Sequence, residues 1–127
     1  MDQSLKVLVV DDSSLYRRIL TSAVASIPIP TEVETAPTGS VALKKIAPFG
    51  PDIVLLDIEM PEMSGLELQK YLTDSGSDMP IIFITAHEDI QSRRKALEAG
   101  ARGFLKKPFE DQDLLDAVQR GLSNYSP

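Results

Sequence analysis

An α/β fold, with a parallel sheet covered by helices on both faces, is what this sequence of 127 residues predicts. Three observations carry the prediction. Short apolar runs alternate with helix-patterned segments about five times along the chain. The clearest of these runs, Leu5–Val10, Ile53–Leu56 and Ile81–Ile84, are nearly continuous and rich in β-branched residues, as strands buried on both faces should be. No low-complexity tract or long linker divides the pattern, so a single domain spanning residues 1–127 is expected.

The elements follow in order. After Leu5–Val10, Ser13 or Ser14 can cap a helix in which Leu15, Ile19 and Ala23 form one apolar stripe, with Leu20, Val24 and Ile27 beside it. Pro28 and Pro30 end that helix. The run Glu32–Ala36 is short and alternating, which suits a sheet edge. Thr38 is positioned to cap a helix carrying Val41, Leu43 and Ile46, expected to stop before Pro48. Ile53–Leu56 reads as the central strand and ends in Asp57. Ser64 and Glu67 have the spacing of a capping box, the helix they open presents Leu68, Tyr71 and Leu72, and Gly76 closes it. Ile81–Ile84 ends in Thr85. The next helix holds Ile90, Arg94, Leu97 and Ala99, with Gly100 as its stop. A short strand, Gly103–Lys106, leads into the turn Lys107-Pro108-Phe109, and the last helix turns Leu114, Leu115, Val118 and Leu122 toward the core. Five such units fit a flavodoxin-like doubly wound sheet with strand order 2-1-3-4-5.

Composition excludes several chemistries. The chain has no cysteine, so disulfides, zinc-thiolate sites, iron–sulfur clusters and cysteine nucleophiles are out. A single histidine excludes a multi-histidine metal site. No apolar run approaches the roughly 20 residues that span a bilayer. The first residues lack a basic region followed by an apolar core, so a secretory signal is not expected and a cytoplasmic location is. A net charge of −6 argues against nucleic-acid binding by this domain itself.

In open α/β sheets, ligands bind outside the carboxyl ends of the strands. There the sequence delivers Asp11 and Asp12 after the first strand, Asp57 after the third, Thr85 after the fourth and Lys107 after the fifth. In the expected order these four strands are consecutive neighbours. Three converging carboxylates repel one another, and need a cation or a retained proton. Oxygen ligands alone suit Mg²⁺ better than zinc or copper. With an ammonium and a hydroxyl at hand, the set suits a phosphoryl group, and Asp57 is the natural nucleophile. Each residue alone has a plainer reading: a turn or helix cap for Asp11 and Asp12, a loop start for Asp57, a strand residue for Thr85, a surface lysine for Lys107. Their conjunction at one crevice favours function.

These motifs are Val-Leu-Val-Val-Asp11-Asp12-Ser, Asp-Ile-Val-Leu-Leu-Asp57-Ile-Glu-Met-Pro61, Gly65, Ile-Thr85-Ala86 and Lys107-Pro108-Phe109. From about Leu5 to Leu122 the chain resembles the receiver domain of bacterial two-component response regulators. The resemblance implies a phosphoacceptor rather than an enzyme. Asp57 would take a phosphoryl group from a phosphohistidine on a histidine kinase or phosphotransfer protein, assisted by Lys107 and Thr85. Asp12, Asp57 and the backbone carbonyl of Glu59 would ligate Mg²⁺, with Asp11 acting mostly through water. Thr85 and Phe104 would form the switch, changing a face made of the last two helices and the fifth strand. That face would serve a homodimer or effector, and no membrane. A cis Lys107–Pro108 peptide is also implied. Phe104 stands where tyrosine is commoner, and lacks its hydroxyl. Glu59 and His87 each lie two residues past a site residue, and are either solvated loop side chains or tuners of phosphoryl lifetime. The basic run Arg93-Arg94-Lys95 and the acids Asp111, Asp113 and Asp116 read as solvated helix faces, or as charges on a dimer or effector surface.

Three rival readings fit the residues less well. A Mg²⁺-dependent aspartyl-phosphate phosphatase of the haloacid-dehalogenase type would carry its nucleophile on the first strand and its acidic pair last; here the order is reversed. A flavin module would want a small, hydroxylated phosphate loop after the first strand, where Asp11 and Asp12 would repel the phosphate. An unphosphorylated receiver-like adapter has no need of the intact acids, Thr85 and Lys107. The stretches around Thr85 and Lys107 are similar to receivers attached to DNA-binding domains, a weak pointer to transcription regulation.

Overall fold

The computed structural model describes residues 4–87 and 89–123. The elements are β1 (Leu5–Val10), α1 (Ser14–Ala25), β2 (Thr31–Ala36), α2 (Gly39–Phe49), β3 (Ile53–Leu56), α3 (Gly65–Asp74), β4 (Ile81–Thr85), α4 (Ile90–Glu98), β5 (Gly103–Lys106) and α5 (Asp111–Ser123). The five strands form one parallel sheet in the order β2-β1-β3-β4-β5. The expected flavodoxin-like architecture is therefore present, with β2 at an edge.

Side-chain alternation along the strands splits the apolar runs between two cores. Val7, Val9, Ile53, Leu55, Ile82 and Ile84 pack with Leu20, Ala23 and Val24 of α1 and with Leu114, Ala117 and Val118 of α5. Leu8, Val10, Val54, Leu56, Ile81 and Phe83 pack on the other face with Ala42 of α2, Leu68 and Leu72 of α3 and Ala96 of α4. A continuous run is thus two interleaved half-runs, each serving its own layer. Among the described residues no helix is long and apolar enough to cross a membrane.

Local signals account for the helix ends. Ser13, Thr38 and Asp89 cap α1, α2 and α4, and Ser64 and Glu67 close a complete capping box on α3. Gly76 and Gly100 sit at positive φ just past α3 and α4. There the Gly76 N–H donates to the Thr73 carbonyl and the Ser77 N–H to the Leu72 carbonyl, which satisfies the last turn of α3.

Four expectations are corrected. Helix α2 does not stop before Pro48 but includes it. Pro48 forfeits only the bond to the carbonyl one turn back, and Gly50, at φ 63°, supplies the stop, its N–H donating to Ile46. In α1 the buried stripe is Leu20, Ala23 and Val24, while Leu15 is 56% exposed and Ile19 also faces out. In α3 Tyr71 is exposed beside the buried Leu68 and Leu72. In α4 Ile90 is 79% exposed and Leu97 is exposed too, so the helix buries only Ala96. A helix lying on a sheet covers one narrow stripe, and residues a quarter-turn away stay in solvent.

Gly65 is fixed by close approach. Its N–H donates to the Ile58 carbonyl at 2.8 Å, and a Cβ there would collide with the backbone carbonyl oxygen of Asp57. We expect Gly65→Ala to cost about 2 kcal/mol in urea denaturation, since the start of α3 or the strand end must move. Unchanged stability would contradict that packing.

Candidate functional site

The sheet ladder runs on past the strand ends and sets the acids side by side. Val10 is in register with Leu56, and the Asp57 N–H donates to the Val10 carbonyl at 2.9 Å. The Asp11 N–H donates to the Ala36 carbonyl at 3.1 Å. Carboxylate oxygens of Asp11, Asp12 and Asp57 lie within 4.8 Å of one another. Asp11 and Asp57 are buried and Asp12 is exposed, so the cluster opens to solvent on one side.

Lys107 reaches this cluster from the far edge of the sheet. Its N–H donates to the Thr85 carbonyl at 2.8 Å, and the Lys107–Pro108 peptide is cis. The Lys107 Nζ donates to Asp11 Oδ2 at 2.6 Å and lies 3.7 Å from Asp57 Oδ2. The Ser13 N–H donates to the other oxygen of Asp11. Asp11 therefore takes the larger share of the Lys107 ammonium, and Asp57 is left less compensated. Burial, and then the nearby Asp11 carboxylate, push the Asp57 carboxyl up from 3.8 to about 6, against the pull of Lys107 and the Ile58 N–H.

The donor set fits a hard divalent cation. It offers carboxylate oxygens, closely spaced, with excess negative charge and a solvent-facing side for water ligands.

The other predicted residues lie around this cluster. Thr85 is buried at the end of β4, with its Oγ1 accepting from the His87 N–H at 3.3 Å. It follows Phe83 on the α4 side of the sheet, and Phe104, the register partner of Phe83, belongs to the same core. The Phe104 ring lies 6.3 Å from that of Phe83 and under the Arg93 guanidinium at 5.6 Å. Arg93 is thus engaged with Phe104, and Arg94 pairs with Glu98 along α4. Glu59 and His87 meet: Nε2 and Oε1 are 3.2 Å apart, with both side chains largely exposed. Sequence reasoning missed two residues near Lys107 and Asp11. The Tyr16 ring faces the Lys107 ammonium, and the Arg17 guanidinium donates to the Asp11 carbonyl at 2.9 Å. The only signal available was their place in the first turn of the helix that follows the acidic pair.

A doubly wound α/β protein with a cation-demanding acidic pocket at its strand ends is the class so defined. The chain matches the response regulator receiver domain family over residues 7–119, and it belongs to that family, the receiver domains of two-component systems. It is 38% identical over 121 residues to the response regulator protein TmoT of Ectopseudomonas mendocina, covering 95% of this chain and 54% of that protein. It is similar to the structure of response regulator StyR (TM-score 0.85, 43% identity, 96% of this chain and 61% of that one). It is also similar to the Vibrio cholerae chemotaxis protein CheY4 (TM-score 0.85, 34% identity, 94% and 100%). The chain spans about half the length of the curated relatives it matches. Receiver domains are phosphoacceptors and generally not enzymes.

The raised Asp57 pKa has a consequence for stability. The folded chain holds this proton up to about pH 6, whereas the unfolded chain releases it near 3.8. Stability therefore falls as pH rises through that window, and the deficit is complete above it. Without added divalent cation, Asp57→Asn should be more stable than the wild type at pH 7.5 by about 2 kcal/mol. The gap should close toward pH 4 in thermal or urea melts. A gap of opposite sign, or one independent of pH, would contradict the account.

Proposed function

We propose that Asp57 accepts a phosphoryl group from the phosphohistidine of a histidine kinase or phosphotransfer protein, and that the chain's last two helices and fifth strand report it. The observation that carries this reading is the buried, under-compensated Asp57 beside Lys107. An Asp57 carboxylate oxygen attacks phosphorus, the P–N bond to the imidazole breaks, and an acyl phosphate forms. Asp12, Asp57 and the carbonyl of Glu59 would hold Mg²⁺, with Asp11 acting mostly through water; when bound it offsets charge on the phosphoryl oxygens. Lys107, already 3.7 Å from Asp57, pairs with the new phosphoryl oxygens. The Thr85 hydroxyl turns to donate to the phosphoryl group, and Phe104 moves inward into the space released.

The packing of α4 supports this relay. One buried residue, Ala96, and a hydrogen bond from the buried Gln69 Nε2 to the Ala96 carbonyl hold the helix to the body. A small gain in contacts at the pocket can shift so lightly held an element. The changed face, α4, β5 and α5, would dock a homodimer partner or an effector. Residues 1–127 are read as one receiver unit, working in the cytoplasm. Glu59 and His87 are read as setting phosphoryl lifetime, since each lies two residues past a site residue and their side chains meet at 3.2 Å.

Incubation with Mg²⁺ and acetyl phosphate should add one phosphoryl group by intact mass, and Asp57→Asn should add none. Labelling independent of Asp57, or turnover of an aryl phosphate, would overturn the reading. Glu59→Ala and His87→Ala should each change the dephosphorylation rate several-fold, roughly the scale of a lost ordering contact. Rates unchanged from wild type in both would remove the lifetime role. Sedimentation with and without beryllofluoride tests the dimer: an unchanged mass would leave a heterologous effector as the occupant of that face.

A further inference from the structure

The Lys107 ammonium lies 2.6 Å from Asp11, 3.7 Å from Asp57 and 4.1 Å from the ring centroid of Tyr16. That last distance is well inside the roughly 6 Å range of a cation–π contact. Tyr16 arrives there by local design. Ser13 ends the acidic stretch and caps α1, accepting from the Tyr16 N–H at 3.2 Å, so the ring sits in the first helical turn beside the pocket. Its other neighbour is Phe109, 6.4 Å away and two residues past Lys107. The start of α1 and the turn after β5 therefore close around one ammonium.

We propose that Tyr16 is a positioning residue for Lys107. A lysine stem has four rotatable bonds and an ammonium without directional preference. Of the two carboxylates only Asp11 is within hydrogen-bond distance of Nζ, and the ring face gives the ammonium a further partner. A π face attracts the cation without fixing its direction. Lys107 can then pass from Asp11 toward Asp57 while staying on the ring, which keeps it in the pocket and out of solvent. The ring does this rather than the hydroxyl. The inference rests on the phosphoacceptor reading, because its purpose is to present Lys107 to a phosphoryl group on Asp57.

Tyr16→Leu, Tyr16→Phe and wild type are compared for beryllofluoride affinity in saturating Mg²⁺ and, separately, for Mg²⁺ affinity. Tyr16→Leu should weaken beryllofluoride about tenfold, and Tyr16→Phe should stay within about twofold of wild type. Mg²⁺ affinity, which the ammonium opposes, should not fall in either variant. The proposal is overturned if Leu has no effect, if Phe falls as far as Leu, or if Mg²⁺ binding falls in step. Ring current gives a second readout in the free protein: the Lys107 ε-methylene protons should resonate upfield in wild type and Tyr16→Phe, and not in Tyr16→Leu. If wild type fails to bind beryllofluoride, the phosphoacceptor reading falls, and the ε-methylene shift alone decides the Tyr16 contact.

Discussion

Asp11, Asp12 and Asp57 stand close enough to repel one another, and the sheet holds them there. The backbones of Asp11 and Asp57 are fixed by ladder bonds that continue past β1 and β3, so these two cannot separate without breaking main-chain hydrogen bonds. One ammonium faces three carboxylates, and it lies nearest to Asp11. The remaining excess is felt most at Asp57, whose carboxyl is also buried. Burial and repulsion together make Asp57 the group that gains most from a cation in the pocket. The same lack of compensation makes the pocket responsive, since added positive charge, or a group that recruits Lys107, changes its energy more than it would at a neutral site.

The two faces of the sheet divide the work. On the α1 and α5 face, Asp11 follows Val7 and Val9, and Asp57 follows Ile53 and Leu55, so the acids meet Tyr16 and Lys107 there. On the other face, Thr85 follows Ile81 and Phe83 and lies on the side of Phe104 and α4. The acids and Lys107 are thus gathered against a well-packed layer, while Thr85 and Phe104 lie on the side of a helix that buries only Ala96 and accepts a hydrogen bond from Gln69. How firmly each helix is held follows from how many side chains it buries.

Much of this was legible in the sequence. Strand order, the caps at Ser13, Thr38 and Ser64, and the convergence of Asp11, Asp12, Asp57 and Lys107 follow from periodicity and from the rule that sites form at strand ends. What was not legible depended on three-dimensional neighbours. Leu15, Ile19, Tyr71, Ile90 and Leu97 fit apolar stripes in one dimension, yet only the width of the sheet decides which are covered. Pro48 looked like a boundary because the Gly50 stop lies beyond it. Tyr16 carries no motif, and its role follows only from a lysine 91 positions later in the chain. Glu62, at φ 72° in the loop before α3, gave no sign of its left-handed backbone either.

Like charge gathered at the strand ends would form one cation site shared by Asp12 and Asp57. Calorimetric titration of Mg²⁺ into wild type, Asp12→Asn and Asp57→Asn at neutral pH tests it most directly. The account predicts one Mg²⁺ per wild-type chain and severe loss of binding in both variants. Equal binding by all three proteins, or none by the wild type, would contradict it.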